Sequence, residues 1–185
     1  GEVIYADFVV AGAGRENAEW LSTEAKKMGI NTAINPVDIG VRVECPAVIT
    51  EYLTDNIYES KLIYQTPTFD DKVRTFCMSP YGEVVSENNQ GLITVNGHSH
   101  SDIKTENTNF ALLVSKTFTE PFHEPITYGK DIAKLANLLA GGVLVQRLGD
   151  LLQGRRSTST RLARSIVDPT LKDATPGDLS LVLPH

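Results

Sequence analysis

Apolar and polar positions divide this chain into stretches of different period. The N-terminal stretch EVIYADFVV predicts a strand over residues 3–10, with Val9 and Val10 apolar in succession as in a strand buried on both faces. It runs into Ala11-Gly12-Ala13-Gly14-Arg15 and then into a helical period over residues 16–27, which sets Trp20, Leu21, Ala25 and Met28 on one side. Lys26 and Lys27 fall in the predicted last turn, and Gly29 follows as its terminating residue. Asn35-Pro36 breaks the chain. Residues 37–44 (VDIGVRVE) then alternate as a half-buried strand, and Pro46 opens a short helix over 47–53.

The middle of the chain predicts short antiparallel strands over 61–65, 72–78, 83–86 and 92–95, with another over 109–116. Pro80-Tyr81-Gly82 is expected to join two of them as a hairpin, and Asn96-Gly97 is a turn signal after the fourth. The last third turns helical. A helix is predicted from residue 126 or 128 to 139, ended by Gly141-Gly142, followed by a strand over 143–147, a helix over 157–166 and a loop over 173–178. No internal repeat or low-complexity linker is present. The predicted fold class is α+β, a mostly antiparallel sheet with helices late in the chain.

A length of 185 residues suffices for one domain, or for one domain plus a fragment. With 41% hydrophobic and 22% charged residues the composition is that of a soluble globular protein. No apolar run approaches the ~20 residues of a membrane span, so no membrane is expected among its partners. Two cysteines, Cys45 and Cys77, do not make a disulfide framework, and a cytoplasmic location is expected. The net charge of −6 argues against general nucleic-acid binding. The charge is uneven, however. Residues 141–165 hold five arginines (147, 155, 156, 161 and 164) against one acid, Asp150, a local charge of +4 that leaves the remainder near −10.

Gly12 and Gly14 supply two of the three glycines of a dinucleotide fingerprint, but Asn17 takes the third place and no acid closes a second parallel strand about 20 residues on. The motif reads either as a secondary glycine turn, approaching a cofactor held by another segment, or as a plain strand-to-helix turn. His98 and His100 have the spacing that shares one strand face. A metal there would need Asp102 and Glu106 as further ligands, so the blander reading is an exposed hairpin end and no metal is expected. Asn107 and Asn109 lie in a polar stretch that is either a solvated loop or one side of a substrate pocket. Cys77 reads as a small buried hydrophobe. Arg155 and Arg156, followed by Ser157-Thr158-Ser159-Thr160, form a solvated face, a phosphate or carboxylate site, or a docking surface for an acidic partner.

Several blocks together resemble one family: ADFVVAGAGR with Glu19-Trp20 (6–20), NPVDIGVRVE (35–44), QTPTFDDKVRTFCMSPYGEVV (65–85), VNGHS (95–99), TENTNFALLVS (105–115) and QRLGDLLQGRRS (146–157). These resemble the uncharacterised FAD-dependent dehydrogenases, flavoproteins of the oxidoreductase class with two dinucleotide folds. The resemblance implies that the chain is a piece of a larger enzyme. Residues 1–35 would be a stub of its FAD-binding domain, and residues 36–185 an α+β domain inserted on the substrate side. Gly12, Ala13, Gly14 and Arg15 would then approach FAD, which is held mainly by the rest of the parent chain and not tightly by this piece. On the same model His98 is the candidate catalytic acid or base, while Arg42, Asn107, Asn109, Arg155 and Arg156 are candidate contacts to a small-molecule substrate. The expected partners are that substrate and the rest of the parent chain, and the unpaired edge over 3–10 leaves self-association open. The alternative is a non-enzymatic module that binds an anionic or macromolecular partner through its arginine cluster over 147–164.

Overall fold

The computed structural model describes residues 2–14, 16–118 and 124–184. The chain divides into two compact units, Gly1–Ile34 and Asn35–His185. The regular element of the first unit is helix α1 (Ala18–Lys27), whose dipole is met by Glu19 in the first turn and by Lys26 and Lys27 in the last. Asn17, its N-cap residue, sends its side-chain amide back to the Ala13 carbonyl at 3.0 Å. The strand expected over residues 3–10 does not form. A ladder needs a partner, and none of the described residues pairs with this segment, so Tyr5, Phe8, Val9 and Val10 stay exposed.

The second unit is α+β, as the periodicities indicated. Its main sheet is antiparallel, with β6 (Asn107–Lys116) lying between β1 (Val37–Pro46) and β3 (Lys72–Ser79), and with β2 (Ile63–Gln65) outside β3. β1 and β6 pair along their full length, from Val37 opposite Lys116 to Pro46 opposite Asn107. Between β1 and β2 the chain makes a short 3-10 turn and helix α2 (Glu51–Thr54), where one continuous helix had been expected.

β4 (Glu83–Asn89) and β5 (Leu92–His98) form a separate two-stranded ribbon. Their link is Gln90-Gly91, with φ of +55° and +86°, the primed turn whose twist matches a hairpin. The hairpin expected at Pro80-Tyr81-Gly82 is therefore misplaced, since this turn carries the chain from sheet to ribbon. The turn expected at Asn96-Gly97 is absent as well, and both residues lie inside β5.

Helix α3 (Pro125–Ala140) packs on β1 and β5 and ends at Gly141. Gly129 brings it against β1, where an added β-carbon would lie 3.1 Å from Val37 Cγ2. Asn137 makes a second attachment. Its Oδ1 accepts from the Ile93 amide and its Nδ2 donates to the Ile93 carbonyl, both at 2.8 Å, so one side chain satisfies the free edge of β5 as a strand would.

Beyond α3 come β7 (Leu144–Val145), α4 (Leu148–Leu152), α5 (Ser159–Leu162) and β8 (Thr175–Pro176), the last parallel to β7. The helix expected over 157–166 shrinks to α5. Ile166 is 94% exposed, and Pro169 disfavours helical backbone at Asp168. Among the described residues no helix is long and apolar enough to cross a membrane.

Period-two alternation sorts the sheet. Val37, Ile39, Val41 and Val43, with Val114, Leu112 and Phe110 opposite, share one face, which meets α3 at Val37. Asp38, Arg42 and Glu44, with Ser115, Ala111 and Asn109 opposite, occupy the other face. That second face holds the polar chemistry.

Candidate functional site

Arg42 is the centre of the polar face. Its Nε donates to Asn109 Oδ1 at 2.8 Å, and its Nη2 donates to the Cys77 carbonyl at 2.6 Å and to Ser79 Oγ at 3.2 Å. The Cys77 carbonyl is available because β3 bulges between Phe76 and Ser79, with Cys77 at φ +50°. Cys77 is thus a half-buried bulge residue rather than a regular strand hydrophobe. Burial draws the Arg42 guanidinium below its ordinary pKa, with its contacts to Cys77 opposing the shift. From the ribbon side Gly97 covers this guanidinium. A β-carbon at residue 97 would overlap Arg42 and the Asn109 side-chain oxygen, so this glycine serves close approach instead of a turn.

Asn109 is fully buried, and with Oδ1 on Arg42 its Nδ2 has no hydrogen-bond partner among the described residues. Two residues along β1, Glu44 accepts from the Thr170 hydroxyl at 2.6 Å and from Asn107 Nδ2 at 3.3 Å. Asn107 Nδ2 also donates to the Asp168 carbonyl at 2.9 Å, and Thr170 Oγ1 accepts from the Val84 amide at 2.8 Å. One network therefore binds the sheet, the ribbon and the segment around 168–170. It brings Arg42, Asn107 and Asn109 together on one face, engaged with protein groups.

At the end of this face lies a cleft of about 390 Å³ lined by Glu51, Tyr81, Glu106, Asn107 and Ile166 among others. The Tyr81 hydroxyl donates to Glu51 Oε1 at 2.6 Å, and Lys104 Nζ stands 4.6 Å from the ring centre. The bond to Glu51 raises the phenol pKa, because it favours the neutral form, and burial adds to the effect. Tyr81 holds φ +51°, a region that non-glycine residues enter at a cost of about 1 kcal/mol or more.

His98 ends β5 on an exposed position, its ring edge-on to His100 at 4.7 Å. His100 Nε2 in turn lies 2.8 Å from Glu83 Oε1. Among the described residues no group of three or more His, Cys, Asp or Glu is placed to hold a metal.

Arg155 and Arg156 line a second cleft, of about 340 Å³. The arginine-rich segment folds around Asp150, whose side chain is 1% exposed. Arg155 Nε donates to one Asp150 oxygen and Ser157 Oγ to the other, each at 2.8 Å. Burial pushes the Asp150 carboxyl up, but Ser157, Arg155 and the charge of Arg147 outweigh it and hold the carboxyl below its ordinary value.

Gly14 has φ +67°, but a β-carbon on Gly12 or Gly14 would meet nothing within 4 Å, and the segment before it lacks the ladder that anchors a dinucleotide turn. Arg15 lies outside the described residues.

Sequence reading missed Glu44, Thr170, Glu51, Tyr81 and Asp150 as organising residues. Two of them carried a signal. Arg42 and Glu44 share one face of an alternating strand, and Asp150 is the single acid in the arginine-rich stretch. Nothing local marked Thr170, which is 126 residues from its partner Glu44. No curated protein matches the chain significantly. Residues 36–185, most of the chain, match the family described as FAD-dependent protein, C-terminal domain-like, and the chain belongs to that family.

Proposed function

We propose that residues 36–185 form the substrate-side domain of a flavin-dependent oxidoreductase, and that residues 1–35 are a stub of its FAD-binding domain. The observation that supports this reading is the family match to an FAD-dependent C-terminal domain, which begins at residue 36 and leaves the glycine turn and helix α1 outside it. Flavin supplies the redox chemistry in such enzymes, so this domain has only to bind, orient and shield a small substrate. The Arg42–Asn109 and Glu44–Thr170 bonds give it a rigid sheet face. His98, exposed at the ribbon end, is the candidate group for exchanging a proton with the substrate. Arg155 and Arg156 are the candidate contacts for a negatively charged substrate group.

The test is the visible absorbance spectrum of the parent protein, purified without added cofactor, alongside a fluorescence titration of the 185-residue chain with FAD. Flavin bands in the parent and no tight binding by the chain are expected. A parent that is colourless and takes up no added FAD overturns the flavin reading. Tight FAD binding by the chain overturns the assignment of the cofactor to the rest of the parent.

A further inference from the structure

We infer that the cleft beside Arg155 and Arg156 binds a small carboxylate with an apolar body. The inference deepens the proposed function by naming a ligand class. It rests on that function only for the ligand's role as a substrate, because the binding itself requires no flavin.

The cleft is a built feature. Asp150 takes Arg155 by its Nε alone at 2.8 Å, which leaves both terminal nitrogens of the guanidinium without a hydrogen bond among the described residues. Arg156 has no side-chain partner there, while its carbonyl is fixed by Arg161 Nη1 at 2.8 Å. The backbone on which both arginines stand is tied to the opposite wall. Gln146 donates to the Arg155 carbonyl at 2.9 Å and accepts from the Leu179 amide at 2.7 Å, and the Ser157 amide donates to the Gly177 carbonyl at 2.9 Å. A side chain anchored through Nε presents its two remaining nitrogens as a fork, and a planar carboxylate meets such a fork with two parallel bonds.

The acid in the lining, Asp178, makes no ion pair with these arginines among the described residues. Asp178 Oδ1 accepts from the Ser180 amide at 3.0 Å and from the Ser180 hydroxyl at 2.7 Å, with Gln146 Nε2 at 3.4 Å. The rest of the cleft is apolar. Leu139 and Leu181 line it while 45% and 64% exposed, and Leu144 lies beside them. A free inorganic anion would satisfy the arginines but leave these leucines in water. A carboxylate carrying a hydrocarbon chain or ring covers both.

The experiment is calorimetric titration of the 185-residue chain with octanoate, with 1-octanol and inorganic phosphate as comparison ligands. Saturable octanoate binding is expected, with neither comparison ligand displacing it. Arg156→Gln removes a side chain with no side-chain partner among the described residues and should weaken octanoate about tenfold by loss of a charge-assisted contact, while Arg156→Lys restores part of the affinity. Leu181→Ser should weaken octanoate as well. Absence of octanoate binding at millimolar concentration overturns the inference, as does equal binding by Arg156→Gln. Displacement of octanoate by phosphate overturns it too, since the arginines would then select an anion without its apolar body.

Discussion

The Arg42 guanidinium lies where a β-carbon on residue 97 would stand. Gly97 is therefore a packing position, and its lack of a side chain lets the ribbon close over the three-bonded Arg42 and the buried Asn109.

Gly97→Ala is expected to destabilise the protein by about 1–3 kcal/mol, because either the guanidinium or the ribbon must move and the buried bonds stretch. A urea midpoint equal to that of the unsubstituted protein would show that β5 does not press on Arg42. Arg42→Lys keeps the charge but not the fork, and a loss of similar size is expected from it.

Asn137 attaches α3 to β5 through both the amide and the carbonyl of Ile93. Asn137→Ala leaves those backbone groups unpaired beneath the helix, at an expected cost of about 1–3 kcal/mol. Hydrogen exchange at the Ile93 amide should accelerate in the variant. Unchanged protection there would mean that α3 holds the ribbon by apolar packing alone.

Asp150 makes acid stability a direct reading of the arginine segment. Its carboxyl is held below the ordinary aspartate value when folded. The stability it contributes is thus present above the unfolded pKa of about 4 and is lost as pH falls from there through the folded value. Asp150→Asn should melt below the unsubstituted protein at neutral pH, and the gap between them should narrow as pH drops below about 4. A gap that stays constant through that window would show that the carboxylate's charge does not organise Arg155 and Ser157.

Tyr81 titrates above an ordinary phenol, first because of its bond to Glu51, then because of burial and the charges of Glu51 and Asp55. Glu51→Ala, which removes the acceptor together with its charge, should return it toward the usual value near 10. Ultraviolet titration checks this, with Tyr81→Phe identifying which of the six tyrosines moved. No change on removing the Glu51 charge would contradict the hydrogen bond as the cause.

Much of the fold could be read locally. The alternation VDIGVRVE became β1, the end of α3 fell at Gly141, and the α+β class followed from where one period replaces the other. Three of the errors are of one kind, because each concerned a residue or segment whose role depends on a distant neighbour. Asn96-Gly97 has turn chemistry, yet the glycine is needed by Arg42 from β1. Pro80-Tyr81-Gly82 has hairpin chemistry, yet β6 rather than β4 occupies the place beside β3. The apolar run before the glycine turn has strand composition, and composition provides no partner.

The candidate residues follow the same division. The sequence by itself determined which side chains bring polar chemistry into the chain and, through period-two alternation, that Arg42 shares a face with Glu44. Tertiary structure alone decided that Asn107, Asn109, Ser79 and Thr170 meet them there, and that Arg155 is held by its Nε, with its fork left unbonded among the described residues. The physical reason is that a side chain's type and local direction are properties of its own segment. Which groups compensate its burial depends on contacts between segments up to 126 residues apart, and these exist only once the chain has folded.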